Sequence, residues 1–215
     1  MINNYTNNKR NYIELKGGEK EELKELKFIH ITKNAGTSIE EAGIKHKIEW
    51  GKFHKEYGWY HKPFSKIDKK LQDKYDWFVV VRNPYARMLS EFYCMWGGVH
   101  NYYTITKDYM NTYLIYRIKN IDESDNKCHY VEQYKYIYGD NITCKIHILY
   151  FEKLEEHFNN LMKKYSLEHI KLEKTNTKPI ATPFTINDFS DELIELINNV
   201  YDNDFKLFGY EKIKR

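Results

Sequence analysis

The chain has 215 residues, a net charge of +3 and a mean hydropathy of -0.77. That balance suits one domain with a sizeable core and excludes a chain built of membrane spans or a strongly basic nucleic-acid binder. No window holds about eighteen consecutive apolar residues, and Met1 to Arg10 lacks the apolar core of a signal peptide, so the expected location is the cytosol or an equivalent soluble compartment.

Residues 1–18 are polar and end in Gly17-Gly18, which reads as a loose arm before a single domain over 19–215. Glu19 to Lys27 alternates acids and lysines and reads as a solvated helical or turn segment. A strand is expected near 27–31 and a helix near 37–44. Between them, Thr32-Lys33-Asn34-Ala35-Gly36-Thr37-Ser38 is a small, polar, lysine-bearing turn. A strand, a loop and a helix N-terminus in that order form an anion cradle. Gly36 would let the backbone approach a ligand, Thr37 and Ser38 offer hydroxyls beside free N–H groups, and Lys33 adds an ammonium. The expected guest is a phosphate or sulfate group.

Residues 45–76 are polar and aromatic with little periodicity, and carry His46, His54 and His61. A buried-looking strand at 77–81 then runs into Arg82-Asn83-Pro84 and a helix near 84–95, Pro84 suiting its first turn. Ser90 lies eight positions after Arg82 (90 − 82), about two helical turns on, so both can grip a second phosphate. Arg87 faces either that phosphate, solvent or an acid. The strand–helix–strand–helix order argues for a parallel sheet.

Gly97 to Asp140 is rich in tyrosine, with helices expected at Lys107–Lys119 and Cys128–Tyr138. A strand at Lys145–Phe151, a helix at Lys153–Tyr165 and another at Ser190–Tyr201 return to the α/β pattern. The economical architecture is one α/β domain with an inserted helical, Tyr-rich wall, whose rings could stack on sugars or simply pack the fold. Lys52, Lys55, Lys62, Lys66, Lys69 and Lys70 could line a basic groove, or stay solvated. Cys94, Cys128 and Cys144 show no metal-like spacing and read as reduced, partly buried thiols, a Cys128–Cys144 bridge remaining open. His30 reads as a core histidine. His100, His129 and His147 have no metal-like partners at useful spacing, so no zinc site is expected.

The loop 32–38 resembles the 5′-phosphosulfate loop of sulfotransferases. Val81-Arg82-Asn83-Pro84-Tyr85-Ala86-Arg87-Met88-Leu89-Ser90 resembles their 3′-phosphate motif, including the Arg-to-Ser spacing. The closest resemblance is to the Golgi carbohydrate sulfotransferases typified by heparan sulfate 2-O-sulfotransferase. It extends more weakly to Ile148–Leu154 and Tyr201–Tyr210. Those relatives carry a membrane anchor and often disulfides, so a Golgi lumen location would require an anchor outside this sequence.

The resemblance implies a P-loop-like three-layer sandwich around a central parallel sheet. It also implies sulfuryl transfer from 3′-phosphoadenosine 5′-phosphosulfate to an acceptor hydroxyl, on a glycan by analogy, with no metal required. The donor would be held by Lys33, Asn34, Ala35, Gly36, Thr37, Ser38, Arg82 and Ser90, with Lys33 also acting in catalysis near the bridging oxygen. An acceptor hydroxyl needs a base, and histidine titrates nearest neutrality. His61, in Tyr57-Gly-Trp-Tyr-His-Lys-Pro-Phe64, falls where carbohydrate relatives keep a catalytic histidine, although Trp59 replaces a second histidine of those relatives; His54 is the rival. Lys174, Thr177 and Lys178 could add phosphate contacts, Glu152 resembles a family acid that orders the core or is a surface or capping carboxylate, and Gln133 falls where a family glutamine lies near donor or acceptor. Two other readings remain: a nucleotide-dependent kinase, disfavoured because no G-x-x-x-x-G-K-[ST] pattern occurs, and an inactive nucleotide-binding protein of the same fold. Oligomeric state is left open.

Overall fold

The computed structural model describes residues 23–51, 61, 63–94, 98–99, 105–122, 125–139, 142, 144–173 and 183–215. Among them, three parallel strands form one sheet: β1 (Leu26–Ile29), β2 (Asp76–Val81) and β3 (Ile146–Tyr150), with β2 central. Phe28 pairs with Phe78, and Val79 with Ile148. β2 is buried at every position, as a continuous apolar run in a parallel sheet covered on both faces must be.

The two faces follow from the two-residue alternation of a strand. Phe28, Phe78, Val80 and Leu149 point toward Ile39 and Ala42 of α1 (Gly36–Lys45) and toward Phe158, Leu161 and Met162 of α6 (Leu154–Lys164). Ile29, Trp77, Val79, Val81, Ile146 and Ile148 point the other way. They meet Phe64, Tyr136 and Ile137 of α5 (Tyr134–Ile137), and Phe208 of α8 (Asp202–Phe208). A second core joins α3 (Pro84–Phe92), α4 (Lys107–Lys119) and α7 (Asp191–Val200) through Met88, Phe92, Leu114, Leu193 and Ile197.

Local chemistry sets several boundaries. Asn83 accepts from the N–H groups of Tyr85 and Ala86 with Pro84 in the first turn, so α3 starts immediately after the Arg82 turn. Thr106 and Ser190 cap α4 and α7 in the same way. The expected helix over 107–119 is found with those bounds. Among the described residues of 45–76, which carry little periodicity, are a 3₁₀ turn at Phe64–Lys66 and a short α2 (Lys69–Lys74).

Two expectations change. Lys27, read as part of a solvated helical or turn segment, is buried in β1 with Leu26. The continuous helix expected over 128–138 is instead a 3₁₀ segment (Asp125–Tyr130) and the single-turn α5, broken at 131–133. Arg87 takes the carbonyls of His129 and Val131, and the Gln133 N–H goes to the Asp204 carboxylate. These are groups an unbroken helix would spend on its own ladder. Cys128 and Cys144, whose bridge was left open, are both buried as thiols.

Candidate active site

The site is built where β1 and β2 end. Lys33 and Ala35 both have left-handed backbone, φ 60° and 62°, on either side of Asn34. Such conformations cost non-glycine residues on the order of 1 kcal/mol or more each and persist only where the surroundings enforce them. Asn34 supplies the enforcement. Its side chain is wholly buried, and Nδ2 donates to the Val80 carbonyl and to Gln133 Oε1, each at 2.7 Å. Ala35 occupies the N-cap of α1 and offers no side-chain cap, so the first N–H groups of that helix are left for another acceptor.

Gly36 is required for a reason the sequence did not suggest. A Cβ there would lie 1.9 Å from His30 Nε2, because the His30 ring packs directly against the loop. Thr37 is exposed and Ser38 half-buried at the start of α1. The half-buried Lys33 has its ammonium in no hydrogen bond or ion pair among the described residues.

Arg82 sits at the C-terminal end of β2 with its guanidinium stacked 4.0 Å over the Phe151 ring. Its Nη1 donates to the Lys33 carbonyl at 3.0 Å, so the two basic turns touch directly. Burial lowers its pKa, opposed by the charges of Glu152 and Glu91. Its Nε is buried and has no hydrogen-bond partner among the described residues. Ser90 is half-buried on α3. Arg87 is not available to a ligand: it is wholly buried and donates to the carbonyls of Thr32, His129 and Val131 and to the Thr32 hydroxyl. Its ion-pair partner is Glu91, at 3.8 Å one helical turn on. Glu152 accepts from the Asn83 N–H and the Tyr210 hydroxyl, tying the C-terminal segment to the start of α3.

Three histidines line up beside the loop. His30 Nδ1 pairs with Glu40 at 2.7 Å, and its ring meets that of His61 edge-on at 4.3 Å. His61 Nδ1 lies 3.2 Å from the His30 carbonyl. A carbonyl only accepts, so Nδ1 carries the proton and Nε2 is left as an acceptor. Burial, followed by the neighbouring His30, pulls the His61 pKa down to about 3, leaving the ring neutral across the physiological range. His129, with its ring centre 6.4 Å from that of His61, behaves oppositely. Burial lowers its pKa, but hydrogen bonds to Cys94 and Glu91 and their charges outweigh that and raise it to about 9.

The model of the Sulfotransferase family matches residues 4–211. The chain belongs to the sulfotransferase family. No curated protein and no solved structure matches it. The α/β architecture with its parallel sheet agrees with membership, and membership makes the protein a sulfuryl-transferring enzyme.

Within this sulfotransferase, folding joins residues that the sequence left separate. Gln133 is wholly buried between the two basic turns. Glu91, Cys94 and His129 bring one donor atom each within 4.8 Å of one another, a cluster that the spacing 91, 94, 129 did not reveal as metal-like. Glu91 already accepts from Thr32 Oγ1 at 2.5 Å and from His129 Nδ1 at 2.8 Å, with the Arg87 guanidinium close by, so positive charge is supplied from within. His147, the third histidine read as having no metal-like partner, meets the Tyr165 hydroxyl at 2.7 Å. His54, Trp59, His100, Lys174, Thr177 and Lys178 lie outside the described residues, as do Lys52, Lys55 and Lys62.

Proposed function

We propose that this sulfotransferase uses 3′-phosphoadenosine 5′-phosphosulfate as donor and an acceptor hydroxyl, foremost on a glycan, as acceptor. One observation carries the reading: the uncapped N-terminus of α1 and the Arg82 guanidinium are joined through the Lys33 carbonyl, so two anion-binding turns stand side by side. A nucleotide with phosphates at both its 5′ and 3′ positions matches that pair. The orphaned Arg82 Nε and the unengaged Lys33 ammonium fit an anionic guest.

The donor contributes the sulfuryl group, and the chain's residues do the rest. The N–H groups of residues 34–38 and the Lys33 ammonium stabilise charge growing on the leaving 5′-phosphate. Arg82, held flat by Phe151, and Ser90 hold the 3′-phosphate. His61 Nε2 accepts the proton of the acceptor hydroxyl as its oxygen bonds to sulfur and the sulfur–phosphate oxygen bond breaks. A pKa about 3 makes His61 a weak base that is always in its accepting form. Dipoles and cations of the chain take the place of a metal. The tyrosines of α4, with Tyr109 and Tyr116 at 49% and 63% exposure, support a sugar-bearing acceptor.

Calorimetry with adenosine 3′,5′-bisphosphate, AMP and ATP tests the donor assignment. Tight binding of the bisphosphate alone, without magnesium, is expected; equal affinity for AMP, or a magnesium requirement, moves the reading to a kinase. A labelled sulfuryl-transfer screen across glycan, peptide and phenol acceptors tests the acceptor class.

A further inference from the structure

We propose that Gln133 is a positioning residue that couples the two phosphate turns, so that a nucleotide's 5′- and 3′-phosphates bind cooperatively. The inference rests on the donor assignment above. A primary amide offers two N–H donors and an acceptor oxygen with two lone pairs, and Gln133 uses all four. Oε1 accepts from Asn34 Nδ2 at 2.7 Å and from the Arg82 N–H at 2.9 Å. Nε2 donates to the Arg82 carbonyl at 2.8 Å and to Asp204 Oδ2 at 3.3 Å. Three of these four bonds thus go to the two turns.

The fourth partner holds the amide in place. Asp204, wholly buried on α8, also accepts from the N–H groups of Gln133 and Tyr134. Its carboxylate fixes the backbone at the start of α5 and leaves the Gln133 amide only one orientation that satisfies every atom. The ring of contacts closes on the far side, where the Lys33 carbonyl accepts from Arg82 Nη1. That carbonyl is aimed by the left-handed backbone at Lys33 and Ala35, which Asn34 maintains. Asn34, Gln133, Arg82 and Lys33 therefore form one closed circuit. Displacing either turn breaks bonds in the other, and a ligand that fixes one turn lowers the cost of fixing the second.

The test is a ligand cycle measured by calorimetry on the full chain, with adenosine, 5′-AMP, 3′-AMP and adenosine 3′,5′-bisphosphate. In the wild type, the 3′-phosphate should strengthen binding about tenfold more when the 5′-phosphate is present than when it is absent. In Gln133→Leu, which removes every side-chain bond of the hub, the factor should fall to about one while the protein still unfolds cooperatively. Asn34→Ala cuts only the loop side of the circuit, so it answers the question if Gln133→Leu does not fold, and should show the same loss. A folded variant that keeps the full cooperativity overturns the proposal, as does an equal loss of affinity for all four ligands. A wild type that prefers the bisphosphate but binds its two phosphates additively refutes the coupling alone. A wild type with no such preference refutes the donor assignment as well.

Discussion

The lower part of β2 and the layer above its C-terminal end are equally buried and differ in what holds them. Around Phe78 and Val79 the contacts are apolar and non-directional, and either face of the sheet can repack around a small change. Around Thr32, Asn34, Arg87, Glu91, Gln133 and Asp204 the contacts are buried hydrogen bonds and charges, each with a specified partner. Dispersion forgives a lost methylene, whereas a low-dielectric polar layer leaves an unpaired group exposed to its full desolvation cost. The fold rests on the first region. The shape of the two basic turns rests on the second.

The largest expected effect that can break this comparison is at Arg87. Arg87→Met should cost about 3–5 kcal/mol in urea unfolding, since it strands the buried Glu91 and three backbone carbonyls. Ile148→Val, also buried in the sheet, should cost about 0.5–1.5 kcal/mol. Comparable losses in the two variants would remove the distinction between the regions.

Next come the catalytic groups, which should separate chemistry from architecture. His61→Ala should fold and bind the bisphosphate yet slow transfer about a hundredfold or more. Lys33→Ala should lose transfer far more than product-nucleotide binding, while Arg82→Ala should weaken nucleotide binding directly. A near-normal rate in His61→Ala with a large defect in His54→Ala would move the base to His54.

A more moderate effect is expected at Gly36→Ala. The added methyl collides with the His30 ring, which Glu40 and His61 keep in place, so the loop must shift. The strain is about 1–3 kcal/mol, read as weakened bisphosphate affinity. Restored binding in Gly36→Ala/His30→Ala would sharpen the case that the ring sets the requirement for glycine.

The smallest effect is on pH dependence. His61 and His147 have folded pKa values lowered by burial to about 3, so their contribution to stability is present above about pH 6.5 and lost as pH falls toward 3. His129, raised to about 9, contributes stability that is full below about pH 6.5 and lost as pH rises through 9. Melting temperature should therefore peak near neutrality, and His129→Gln should flatten the alkaline limb. An unchanged alkaline limb in that variant would show that His129 is not held protonated by Glu91 and Cys94.

Much of this was legible in the sequence because it depends on neighbours along the chain. The continuous apolar run Trp77–Val81 read as a buried strand, and the helices over 107–119 and from Ser190 were expected where they are found. Polar partnerships across the chain were not legible. Arg87 stood between phosphate, solvent and acid until α3 packed it against Thr32, His129 and Val131. The helix expected over 128–138 broke because those same carbonyls, and the Gln133 N–H, found distant partners. The proton on His61 Nδ1 likewise depends on a carbonyl 31 residues away. Periodicity and turn chemistry determined the strands and the main helices, and the resemblance of residues 32–38 and 81–90 to known motifs pointed to the family, since all of these are written in adjacent residues. Only tertiary structure decided which buried polar atoms meet, because a hydrogen-bonding group declares what it can pair with but not which of its many possible partners the packed core will bring within 3 Å.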